Sequence, residues 1–411
     1  MRPLLFSASV LLLTTSLTFA QTDPAEICLF EEDDWAATLA ACNEALAASD
    51  DPVEQGRFVL HRGLAHEGLG DMQAALLDQI LVGEYRPDWF RGYANASSLA
   101  FELGDHEAEA RWAQAAVDAE PDNPRAYHSN LLLAVYSDEP TSCEPVADQI
   151  ISLLRHPIDW AFDVSADASL MGDLGYCLHY LERHEEAMTA YLAAEYLGLE
   201  AQWFFSDMAR IAFYSLEQDH RAIAAATRAL SMGETNIDDV AVLVGANRYL
   251  GQWDAAIAVE LDYADFLNAE DQDFGVRNNL AWALYLDGNI EAASGVAERW
   301  HASLDPSDTS PVSDVADTFD TLAHIRAARG EPEGALEAFE QALAREADEY
   351  TDLRRDTYRS GMEALGIEVA DGEAGLLAGL AECVAMGAEC RLFFEGDEAA
   401  QEALAAEQTE Q

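Results

Sequence analysis

The residues of this chain whose types and spacing could do chemistry are few, and the first are histidines. His61 and His66 stand five apart, and so do His179 and His184. Side chains that share one helix face are three or four apart, so neither pair suits one metal ion. No HExxH occurs. The stretch "EDQDFG" at 270–275 opens like a calcium loop, but the carboxylate that should close it is missing. It reads as a solvated turn. No serine lies in GxSxG, and no glycine-rich phosphate loop is present. Acidic pairs such as Glu185-Glu186 stand where helices would begin, a placement that the helix dipole favours. No catalytic residue, metal or cofactor is therefore expected, and the chain reads as a non-enzymatic protein. Two alternatives stay open: a hidden enzyme whose polar residues converge from distant segments, and an acidic, salt-adapted envelope protein with no dedicated ligand.

Six cysteines, at 28, 42, 143, 177, 383 and 390, include no CxxC pair, and their spacings are not zinc-like. An even count suits three disulfides if the chain is exported. The first twenty residues, "MRPLLFSASVLLLTTSLTFA", have the short basic start, apolar run and small terminal residue of a signal peptide. A cut after Ala20 is expected. The mature chain would be periplasmic or secreted, with no stable membrane insertion.

The formal net charge is -55; all 22 basic residues are arginine and no lysine occurs. Nucleic acid is not an expected partner, because binding it rests on a basic footprint. Anionic lipid is disfavoured for the same reason. Self-repulsion of this size opposes compaction, and salt screens it within about 10 Å at 0.1 M. The melting temperature should therefore rise with added sodium chloride; a flat or falling series of thermal scans would discard the idea.

The elements that carry these residues repeat. "RGEPEGALEAFEQALARE" (329–346) matches "LERHEEAMTAYLAAEYLG" (181–198) and "LEQDHRAIAAATRALSMG" (216–233) in its pattern of small and bulky residues. The same frame fits units starting near Gly56, Trp89, Ala126, Ala168, Trp203, Ile237, Phe274 and Ala316. Steps of about 34 to 42 residues are those of helical repeat arrays. Apolar residues recur three and four apart, and glycine with a polar neighbour ends each stripe. A single such pair cannot bury its apolar face, so neighbours must stack.

The frame resembles the tetratricopeptide repeat family, whose units are two antiparallel helices with small residues where the helices cross. The eighth place holds Gly63, Gly175, Ala281 and Ala323; the twentieth holds Ala75, Ala187, Ala222, Ala256, Ala293 and Ala335; the twenty-seventh holds Ala116, Ala194, Ala229 and Ala342. The resemblance implies an all-α fold: a right-handed α-α superhelical solenoid of about eight helical hairpins with degenerate terminal caps. The expected organisation is a signal peptide at 1–20, an N-terminal degenerate cap at 21–55, the solenoid at 56–350, and a helical cap with an acidic tail at 351–411. Glu109 and Pro145 at the twentieth place mark two degraded units, and loops at 137–145, 155–167 and 303–314 interrupt the array.

Three cysteine pairs follow from this frame. Cys28 and Cys42 would face each other across the helices of a truncated first unit, Cys143 and Cys177 would join neighbouring hairpins, and Cys383 and Cys390 would close a small turn around Gly387. The family binds ligands along the face formed by first helices. Carried onto this chain, the lining places are Tyr176, His179, Tyr180, Asp207, Tyr214, Arg248, Tyr249, Asn278, Trp282, Tyr285, Asp320 and His324. The resemblance implies a protein-protein interaction scaffold whose partner is a protein or peptide segment, and the aromatic lining places with Asp207 and Asp320 beside them suit a segment that is mostly apolar with some basic character. The family's clamp for terminal carboxylates needs lysines, which this chain lacks.

Overall fold

The computed structural model describes residues 23–30, 34–137, 140–155, 164–269, 274–304, 313–346 and 351–392. The signal-peptide stretch, residues 270–273 of the calcium-like loop, parts of the three interrupting loops (138–139, 156–163 and 305–312) and the acidic tail lie outside them. All regular structure among the described residues is helical, with no strand. The helices fall into two compact units, residues 1–183 with 196–198 and residues 184–195 with 199–411.

The first unit contains α1 (Pro24–Phe30), α2 (Trp35–Ala48), α3 (Pro52–Gly68), α4 (Met72–Tyr85), α5 (Phe90–Glu102), α6 (His106–Ala119), α7 (His128–Val135), α8 (Glu144–Leu154) and α9 (Val164–Tyr180). Helices α1–α2, α3–α4 and α5–α6 pack as hairpins, and α5 also touches α7, as α7 touches α9. The turn chemistry explains the hairpins. Gly70 and Gly104 take φ of 80° and 74°, a left-handed conformation that ends one helix without a Cβ clash. The aspartate that follows starts the next: Asp71 accepts from the Ala74 N–H and Asp105 from the Ala108 N–H.

Three covalent or ionic links hold places where the repeat degrades. Helix α1 has only seven residues, too few for a stable isolated helix, and the Cys28–Cys42 disulfide ties it to α2. The hairpin of α7 and α8 is shortened, and Pro145 stands in the first turn of α8, where its missing N–H costs nothing. Cys143–Cys177 joins the start of α8 to α9. In the same segment the buried Arg125 guanidinium donates two hydrogen bonds to the Asp167 carboxylate, at 2.5 and 2.7 Å.

The second unit contains α10 (His184–Tyr196), α11 (Gln202–Arg210), α12 (Asp219–Met232), α13 (Ile237–Tyr249), α14 (Trp253–Asp262), α15 (Ala264–Ala269), α16 (Phe274–Leu286), α17 (Ile290–Ser303), α18 (Ser313–Ala328), α19 (Pro332–Arg345), α20 (Thr351–Ala364) and α21 (Glu373–Val384). First helices of successive hairpins touch in the order α11, α13, α16, α18. The crossing alanines Ala187, Ala222, Ala256, Ala293 and Ala335 are fully buried, as close helix approach requires. A continuous core runs from Val240 to Leu392 and includes Trp300, Phe319, Phe339 and Tyr358. Cys383–Cys390 closes the last turn, and the Leu392 N–H beyond it donates to His324 Nε2 at 2.9 Å.

Two hairpin turns break the glycine rule. The place held by glycine in the other turns holds Glu182 and Glu217, with φ of 56° and 53°. A left-handed non-glycine residue costs about 1–2 kcal/mol. Just before Glu217, α11 widens into a π-helical turn over Ile211–Ser215.

Candidate functional site

Helices α11, α13 and α16 of the second unit line a groove of about 850 Å³. Three aromatic rings line it, and the π-helical turn carries two of them, Phe213 and Tyr214. An extra residue per turn shifts side-chain direction, and such turns concentrate at functional sites. Phe213 and Tyr214 meet edge to face at 4.7 Å between centroids, and Phe213 meets Tyr249 at 5.6 Å. Gly245 on α13 makes this seating possible, since a Cβ there would lie 2.6 Å from the Phe213 ring. Tyr214 and Tyr249 remain 65% and 69% exposed.

Charged side chains of both signs line the groove: Asp238 at the start of α13, Arg248 near its end, and Glu217 and Asp219 in the chain that follows Tyr214. The Arg248 guanidinium lies 5.0 Å from the Tyr249 ring centroid and donates to the Asn279 carbonyl at 3.2 Å. Asp238 and Arg248 are ten positions apart on α13, which corresponds to about 15 Å along a helix. Partial burial, with the Asp238 carboxylate adding to it, pushes the Tyr214 phenol above its ordinary range, while Arg210 and Arg248 oppose the rise. Next to Asp238, Asp239 is fully buried and accepts from the Ser206 hydroxyl at 2.8 Å. Burial raises its carboxyl above the usual carboxylate range, against the opposing Ser206 hydrogen bond.

Of the twelve residues expected to line a binding face, the groove brings together Tyr214, Arg248 and Tyr249. Asn278 and Trp282 are half-buried on α16. Four others need correction, because the structure buries them: Asp207 at 7% exposure, Tyr285 at 5%, Asp320 at 9% and His324 at 0%. They hold the core instead. Asp207 receives hydrogen bonds from Arg210 and Tyr191. Asp320 accepts from the Tyr358 hydroxyl at 2.5 Å. His324 accepts from Leu392 through Nε2, so its proton sits on Nδ1, which faces the Asp320 carbonyl at 2.8 Å. Trp282 stacks on Tyr285 at 5.1 Å and meets His324 edge to face.

Tyr176, His179 and Tyr180 belong to the first unit and form a separate group. The Tyr176 and Tyr180 hydroxyls are 3.0 Å apart, and Tyr136, absent from the sequence-based set, joins them with its ring 6.4 Å from Tyr176. Phe213, Glu217 and Asp238 were also missed. Glu217 had a legible signal: it breaks the glycine rule of the repeat frame.

Among the described residues no group of three or more histidine, cysteine, aspartate or glutamate side chains could hold a metal ion, and no helix is long and apolar enough to cross a membrane.

No protein-family model matches the chain, and no curated protein matches it. Solved structures do. PilF from Pseudomonas aeruginosa matches with 12% identity and a TM-score of 0.40, over 55% of this chain and 93% of that one. PilW, a widely conserved type IV pilus biogenesis factor, matches with 12% identity and a TM-score of 0.38, over 54% and 96%. The C-terminal part of a TPR repeat-containing protein from Cytophaga hutchinsonii matches with 12% identity and a TM-score of 0.37, over 70% and 94%. The tetratricopeptide pattern of the sequence thus has a counterpart among the matches. Scores of this size carry no argument about what this chain binds.

Proposed function

We propose that this chain is an exported, non-enzymatic interaction scaffold that binds a segment of a partner protein in the groove of its second unit. The observation that carries the reading is the pair of exposed tyrosines, Tyr214 and Tyr249, on either side of Phe213 in one groove. Tyrosines supply large contact area with little rotamer entropy to lose, so they are frequent anchors of binding surfaces. Export is supported by the disulfides, which persist in oxidising compartments.

The test is affinity capture with the intact chain and with Tyr214→Ala/Tyr249→Ala, the fold of both checked by circular dichroism. Capture of the bound proteins should fall roughly tenfold or more with the variant. A folded variant that captures the same proteins in the same amounts would remove the groove from consideration.

A further inference from the structure

Asp239 is the third residue of α13 and is fully buried against α11. Its Oδ2 accepts from the Ser206 hydroxyl of α11 at 2.8 Å, and its Oδ1 has no hydrogen-bond partner among the described residues. The charged groups that act on it are Asp238 on its own helix and Arg210 and Asp207 on α11. Arg210 is already engaged: it donates to Asp207 at 2.8 Å and lies 3.7 Å from Asp238. Asp207 also accepts from Tyr191 of α10 at 3.3 Å. Helices α12, α14 and α16 pack on α13 too, and no hydrogen bond or ion pair from them reaches Asp239 among the described residues. An ionised Asp239 therefore adds a third carboxylate around one guanidinium and leaves a charged oxygen bare in the interior. The neutral carboxyl escapes both penalties. Its O–H donates to the Ser206 oxygen, which can accept as well as donate, and Oδ1 remains as an uncharged carbonyl. Burial, with Asp238 and Asp207 adding to it, raises the carboxyl above its ordinary range against the Ser206 hydrogen bond and Arg210. We propose that Asp239 is a pH-sensitive latch between α11 and α13, carrying a proton while the starts of the two helices are closed and loosening that seam when it ionises. These helices form two of the groove's three walls, so the latch makes the groove's shape depend on pH. It holds whatever the groove takes.

A carboxyl raised in the folded chain and ordinary in the unfolded one binds its proton more tightly when folded. Its contribution to stability is complete below the ordinary aspartate pKa of about 3.9 and is lost as pH rises through the folded-state value. Asp239→Asn keeps the shape and cannot ionise. In thermal scans of the full chain the variant should melt about 2–4 °C above the parent near pH 8, and the difference should vanish near about pH 4. A melting difference does not locate the loosening, so hydrogen exchange corrected for its intrinsic pH dependence supplies the local measurement. Peptides covering Ser206 and the start of α13 should lose protection roughly fivefold between the two pH values in the parent, and should not in Asp239→Asn. A melting difference that stays constant with pH, or an equal loss of protection in both chains, would overturn the latch. Should Asp239→Asn fail to fold, Ser206→Ala carries the test. It removes a hydrogen bond that is stronger to a carboxylate than to a carboxyl, so its melting deficit should grow with pH. A deficit that does not change with pH overturns the proposal equally. No ligand enters any of these measurements, so their failure leaves the groove reading standing, and a failed capture experiment leaves the latch standing.

Discussion

Glu260→Ala should destabilise the second unit by about 3–5 kcal/mol, a loss expected only when one partner of a buried ionic network is removed. Glu260 on α14 is fully buried and accepts from Arg277 on α16 at 2.8 Å and from Arg299 on α17. Arg277 is itself buried, with further bonds to the Asn268 side chain at 2.8 Å and the Ala264 carbonyl at 3.3 Å. Removing the carboxylate leaves a buried guanidinium without its counter-charge, and the desolvation cost of that group is then uncompensated. The wild-type network is no proof of large net stabilisation; the asymmetry lies in breaking it. The comparison is Glu200→Ala, which removes the half-exposed Arg228–Glu200 pair in the same unit. A surface pair of that kind contributes about 0–1 kcal/mol. Urea unfolding of the full chain, followed by tryptophan fluorescence and circular dichroism, measures both. Equal midpoints for the two variants would show that Glu260 is not the ionic centre of the unit.

The second large effect concerns the three disulfides. They enclose sequence separations of 34, 14 and 7 residues for Cys143–Cys177, Cys28–Cys42 and Cys383–Cys390. Closing a longer loop removes more entropy from the unfolded chain, so paired serine substitutions should cost about 4, 3 and 2 kcal/mol in that order. The first of these also joins the segment where the repeat is most degraded, with α7 only eight residues long. Its loss should lower the first unit's melting temperature most. Thermal scans of the three double-serine variants give the order, and non-reducing peptide mapping of the parent checks the pairing. A reversed order would mean that native packing around each bridge outweighs loop closure.

Much of the architecture was legible because it depends on local chemistry repeated many times. Asp71 and Asp105 cap helices directly after left-handed glycines, and such turns are readable from two adjacent residues. The crossing alanines were readable for a related reason: at the twentieth place only a small side chain lets two helices approach, and Ala75, Ala187, Ala222, Ala256, Ala293 and Ala335 are all fully buried. The cysteine pairs followed once the frame put their helices side by side, and the structure joins the same three pairs.

The binding face was less legible, because a repeat frame assigns a side chain to a helix face but not to solvent. Asp320 and His324 share the helix α18 and occupy lining places, yet α20 brings Tyr358 against Asp320, and the chain beyond the Cys383–Cys390 turn brings Leu392 to His324. Those partners lie 38 and 68 residues away in sequence, outside any local pattern. The groove depended equally on tertiary context. Tyr214 reaches it through the π-helical turn of α11, and Phe213 sits on α13 because residue 245 is glycine. By itself the sequence determined the helical hairpins, their crossings and the covalent staples, since each rests on residues near in sequence or repeated in frame. Only the tertiary structure decided which aromatic residues face solvent and which close the core, because that depends on what packs over them.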